Sequence, residues 1–154
     1  MGKYTIVALR VIIALSLLGS LIVQIMILPA VWRDFDEFDL PPRIAFIAIL
    51  ALGVVTLQVS AVCIWRLLTL VRRDAVFSPR AFVYVDLIAA SIGFGSLLLF
   101  ALAGLLVPGG AAPGVVGLIG GFGLVAAGIV LLVLVMRTLL MQATQLRSEL
   151  DEVV

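Results

Sequence analysis

The sequence contains no histidine, and Cys63 is the only cysteine among its 154 residues. One thiol cannot close an internal disulfide or form a CxxC redox pair, and without histidine no Cys/His zinc site forms within one chain. The same absences remove haem held by paired histidines, HExxH metalloprotease chemistry, quinone-linked disulfide formation and Ser/His catalysis. No cofactor is expected. Cys63 lies in an apolar run and reads as a small packing residue.

Charge is also scarce. Only 12% of residues are Asp, Glu, Lys or Arg while 64% are hydrophobic, and soluble domains carry about 25% charged residues. A net charge of +1 offers no basic surface for phosphates, so no nucleic-acid partner is expected. The partner the composition requires is membrane lipid.

Four uncharged runs answer that requirement: Val11–Trp32, Ile44–Trp65, Leu87–Val107 and Val115–Met136, of 22, 22, 21 and 22 residues. At about 1.5 Å per residue each reaches roughly 33 Å, against a hydrocarbon core of about 30 Å. The last two are separated by Pro108-Gly109-Gly110-Ala111-Ala112-Pro113-Gly114, dense enough in Pro and Gly to turn the chain back on itself. The expected fold is all-α: an integral membrane protein with four transmembrane helices in an up-down bundle and a cytoplasmic helical extension at 137–154. Residues 1–154 are read as one transmembrane domain.

Orientation follows from the excess of Lys and Arg in cytoplasmic loops. Lys3, Arg10, Arg66, Arg72, Arg73, Arg80, Arg137 and Arg147, eight of ten basic residues, fall on one side. Arg33 and Arg43 fall on the other, beside Asp34, Asp36, Glu37 and Asp39. Both termini are therefore placed on the cytoplasmic side. The first span is longer than the apolar core of a secretory signal and lacks a small-x-small cleavage pattern, so it reads as a retained helix. Gly2 invites a myristoylation reading, but Ile6 stands where Ser or Thr is needed.

At the inner boundary each span carries one ionisable residue: Arg10, Arg66, Asp86 and Arg137. A carboxylate at the edge of hydrocarbon is costly, so Asp86 is expected to bridge to one of the three arginines. The plainer reading for any single arginine is that it snorkels to the headgroups. Ser78-Pro79 is an N-cap followed by proline at the first helical position, so the third helix should start there. The second should run to about Arg73, and Phe77 would sit between the arms of the resulting hairpin.

Span four carries Gly117 and Gly121 in a GxxxG pair, with Gly114, Gly121 and Gly128 seven apart. These are expected to pack against Ala89, Gly93 and Ser96 of span three, a homo-oligomer being the alternative. Gln24, Gln58, Ser60, Ser91 and Ser96 should each hydrogen-bond to a neighbouring helix or to a backbone carbonyl. The outer acidic residues lack EF-hand spacing and read as a solvated loop, with Trp32, Phe35 and Phe38 at the interface. Beyond the membrane, Leu139, Ala143, Leu146, Leu150 and Val153 recur at three- and four-residue steps, a stripe that must meet the hairpin, the membrane surface or a partner helix.

Three segments carry a family resemblance: Leu9–Ser16 (LRVIIALS), Gln58–Thr69 (QVSAVCIWRLLT) running into Arg72–Ser78 (RRDAVFS), and Leu146–Val154 (LRSELDEVV). With these the whole chain resembles the bacterial membrane proteins grouped as domain of unknown function number 2975. The resemblance implies four helices, a gene often beside a small helix-turn-helix regulator, and no catalytic or binding residues. In many members glycine stands where this chain has Asp74 or Ala75.

The residues thus point away from an enzyme, since a lone carboxylate without a matched partner cannot run acid–base chemistry. They point to a small inner-membrane accessory or signalling protein acting through a cytoplasmic or membrane protein partner. The alternatives are a small oligomeric transporter or channel built around Asp86, and an anionic-lipid-binding protein using the arginine layer.

Overall fold

The computed structural model describes residues 2–37, 39–73 and 78–153. Four helices are long and apolar enough to cross a membrane: α1 (Lys3–Asp34), α2 (Leu40–Arg72), α3 (Pro79–Leu106) and α4 (Pro113–Val153). Among the described residues there is no strand. Most large apolar side chains on α1 and α4 face outward, Leu15, Ile25, Leu118, Leu124 and Leu131 among them. Water would penalise so much exposed hydrocarbon, whereas lipid does not. The chain is a multi-pass membrane protein of all-α class.

The helices alternate in direction, as paired residues show. From α1 to α2, Arg10 meets Thr69 and Gln24 meets Gln58. From α2 to α3, Ser60 meets Ser91 and Thr56 lies against Gly95; from α3 to α4, Asp86 meets Arg137 and Ser96 meets Gly123. Numbers rise on one helix as they fall on the next, the mark of antiparallel neighbours. Packing is closest between α3 and α4 and between α2 and α3, and slight between α1 and α2. Helix α3 is thus the centre: Ala81, Ile88, Ala89, Ser91, Ser96, Leu102 and Ala103 are all buried on it. These are mostly small side chains, which let backbones approach where lipid supplies no hydrophobic drive for helices to associate.

Helix ends follow local chemistry. Ser78 occupies the N-cap of α3 with Pro79 in the first turn, and its carbonyl accepts from Ala81 N at 3.0 Å. Its hydroxyl makes no capping bond. At the end of α3, Gly110 has φ +71°, its N–H donates to Val107 O, and Ala111 N–H donates to Leu106 O, both at 3.4 Å. This is a Schellman turn, whose left-handed residue favours glycine. Helix α1 departs from the expected regular span. Val23–Ile27 widens into a π turn, with Leu28 N–H reaching Val23 O, just before Pro29. Proline has no N–H, and its ring crowds the carbonyl four residues back; the wider turn accommodates both.

Helix α2 ends at Arg72, close to the expected Arg73, and α4 continues without a break past Met136 to Val153. Phe38, Asp74, Ala75 and Phe77 lie outside the described residues.

Candidate functional site

At the end of the molecule that carries the termini, the four boundary residues fall into three different arrangements. Arg137 and Asp86 form a two-pronged ion pair. Nη2 donates to Oδ2 at 2.7 Å while Nε faces Oδ1, and the side chains are 28% and 46% exposed. Arg10 instead donates from Nη2 to Thr69 Oγ1 at 3.0 Å and lies over the Trp65 ring, 5.4 Å from its centre. Arg66 is exposed, with no hydrogen bond or ion pair among the described residues. The helices therefore bring Asp86 to Arg137 and leave Arg10 and Arg66 away from it.

The polar groups inside the spans form one interhelical link per neighbouring pair. Gln58 Nε2 donates to Ser20 Oγ at 3.0 Å and to Gln24 Oε1 at 3.1 Å, tying α2 to the π turn of α1. Ser91 donates to Ile88 O at 2.9 Å, so at the 2.6 Å contact with Ser60 it is the acceptor. Ser96 donates to Gly123 O at 2.7 Å. Unpaired polar groups are expensive in hydrocarbon, and each of these is paired.

The glycine pattern of span four points elsewhere than expected. Gly114, Gly117, Gly121 and Gly128 have no atom within 4 Å of where a Cβ would stand, so they face open space rather than α3. The close approach is at Gly123, where a Cβ would lie 3.3 Å from Leu99 Cβ and 3.4 Å from the Phe100 ring. Gly93 faces Val130 at 3.8 Å. The contact face of α4 is set by Gly123, Val130 and Arg137, seven apart, a face rotated away from the Gly114–Gly121–Gly128 line.

At the opposite end lies a cluster that residue counting missed. Arg43, only 7% exposed, stacks on the Trp32 ring at 3.9 Å, donates to Trp32 O and pairs with Asp36 at 2.6 Å. Phe35 stacks on Phe46, ring centres 5.4 Å apart. Asp36 thus completes a clasp joining α1 to α2 while its side chain stays 73% exposed, in keeping with a solvated acidic loop. Trp32 beside an arginine that follows Pro41-Pro42 was the available signal. Among the described residues, no three His, Cys, Asp or Glu side chains converge on a point that could hold a metal ion.

The stripe beyond the fourth span stays uncovered. Leu139, Ala143, Leu146 and Leu150 are exposed, Leu146 at 61% and Leu150 at 67%. Partial burial on this stretch follows Arg137, Leu140 and Thr144, and every residue described from Gln145 onward is exposed.

No curated protein and no solved structure matches the chain. The family described as "Protein of unknown function (DUF2975)" matches residues 3–154, with four apolar helices in keeping with a membrane protein, and the chain belongs to that family.

Proposed function

We propose that this is a non-enzymatic accessory or signalling protein of the bacterial inner membrane, with both termini cytoplasmic, that holds a protein partner on the extension of α4. The observation that carries the reading is the exposed stripe Leu139, Ala143, Leu146 and Leu150 on a helix that outruns the rest of the fold. An isolated helical segment this short is marginal in water, and an amphipathic one gains its stability by burying its apolar face. A partner helix with a complementary face does this. The cytoplasmic placement is supported by the eight basic residues at that end.

The transporter or channel reading depends on Asp86 as its acid. With both carboxylate oxygens on Arg137, Asp86 has a structural task, which favours the accessory reading. A photo-crosslinking residue at Leu146 or Leu150 in living cells should give one discrete protein adduct that is lost in a Leu139→Ser/Ala143→Ser background. Adducts with lipid alone, or none, would overturn the proposal.

A further inference from the structure

Three guanidinium groups and one carboxylate make up the boundary layer, and Asp86 is spent on Arg137. Arg10 is engaged by Thr69 and Trp65. Among the described residues Arg66 alone of this layer has no hydrogen bond or ion pair, and it stands at the head of a groove of about 490 Å³ between α2 and α3. Tyr84 stands beside it, also without a hydrogen-bond partner among the described residues. Below them the groove is lined by Val62, Val59 and Val55 on α2 and Leu87 on α3, together with Cys63 and with Gln58, whose amide N–H is turned to Ser20 and Gln24 of α1.

We infer that this groove binds an anionic glycerophospholipid, its phosphate on Arg66 and one acyl chain along Val62, Val59 and Val55. Charge complementarity identifies the headgroup. A guanidinium at the edge of hydrocarbon needs a counter-ion, none pairs with Arg66 among the described residues, and arginine's fork suits phosphate. Length identifies the rest of the ligand. From Arg66 to Val55 the helix rises roughly 16 Å, about half of a 30 Å hydrocarbon core, the depth of one leaflet. Arg80 lies one helical turn before Tyr84 on the same face of α3 and is exposed, adding a second cation on the headgroup side. Free phosphate would satisfy Arg66 but leave the apolar floor empty; a zwitterionic lipid would fill the floor but bring its own cation. The inference stands independently of the protein-partner reading.

The test uses the full chain carrying Trp32→Phe, so that Trp65, adjacent to Arg66, is the sole tryptophan. It is reconstituted in vesicles containing brominated phosphatidylglycerol or brominated phosphatidylcholine. The anionic lipid should quench Trp65 at a several-fold lower mole fraction. Arg66→Gln should bring the two lipids level, whereas Arg72→Gln, which removes an exposed arginine at the end of α2, should leave the preference intact. Equal quenching in the parent, or equal loss in both variants, would overturn the site in favour of bulk surface charge. Val59→Phe fills the groove while keeping every charge and should also abolish the preference; if it does not, the groove is not the site. Native mass spectrometry should find phosphatidylglycerol retained by the parent and not displaced by inorganic phosphate. Displacement would mean that Arg66 reads phosphate alone, and would overturn the chain-binding half of the assignment.

Discussion

Arg137 holds both oxygens of Asp86 across the tightest helix pair in the molecule, α3 against α4, and so fixes the rotation of α4 at the level where it leaves the spans. The pair is partly exposed, so its worth lies between that of a surface bridge and a buried one. Asp86→Asn or Arg137→Gln should each lower unfolding stability in detergent by about 1–2 kcal/mol. The double variant should cost less than the two losses added together. Strict additivity would mean that the two residues do not act as a pair.

The clasp at the other end should tolerate its conservative replacement poorly. One planar fork serves the Trp32 carbonyl, the Trp32 ring and Asp36 together, a combination that lysine's point charge does not reproduce. Arg43→Lys should lower the melting temperature measurably and shift Trp32 emission to the red. An unchanged spectrum would show that Arg43 does not shape the tryptophan's surroundings.

Two glycines of α4 should behave oppositely. Gly123→Leu forces side-chain atoms into Leu99 and Phe100, an overpacking cost of about 1–3 kcal/mol. Gly121→Leu meets open space and should leave the fold's stability unchanged or slightly raised. Gel filtration of both variants supplies the check. If Gly121→Leu alters the assembly state while sparing the fold, the outward glycine face is a contact with a second copy.

The turn between α3 and α4 depends on a left-handed residue. Gly110→Ala should cost about 1 kcal/mol through strain alone. Gly109, whose φ is not positive, should accept alanine with a smaller loss, the nearest atom to its Cβ being Leu106 O at 3.6 Å. Equal losses would place the requirement in flexibility rather than handedness.

Gln58 is the polar link between α1 and α2 within the spans, between the Arg10–Thr69 bond at one end and the Arg43 clasp at the other. Gln58→Leu should cost about 1 kcal/mol, the scale of hydrogen bonds in membranes. A cysteine pair at Ser20 and Gln58 should be joined in the folded protein by a short bifunctional thiol reagent, which spans the length of the glutamine side chain it replaces. Failure to cross-link would move the register of α1 against α2.

Much of this was open to inspection in the residues themselves. Uncharged length produced the four spans, because the bilayer demands about 20 apolar residues of any helix that crosses it. Ser78-Pro79 marked the start of α3, and the Pro/Gly run marked the turn before α4. The glycines of span four misled for a definite reason. A seven-residue spacing says that side chains share a face and is silent about which way that face points, and here the neighbouring line through Gly123 and Arg137 turns inward. Arg43 was read only as a charge on the acidic side, since its nearest companions, Trp32 and Asp36, lie across the turn joining α1 to α2.

What the sequence by itself determined is therefore the medium and the elements: a chain this poor in charge and this rich in uncharged runs must place helices in lipid, whatever their mutual arrangement. What only the tertiary structure decided is pairing. Which arginine reaches Asp86, which glycine admits a neighbour and which face of α2 is left open with Arg66 at its head depend on the rotation of each helix about its own axis. That rotation is set by many small contacts between neighbours that no single helix carries within itself.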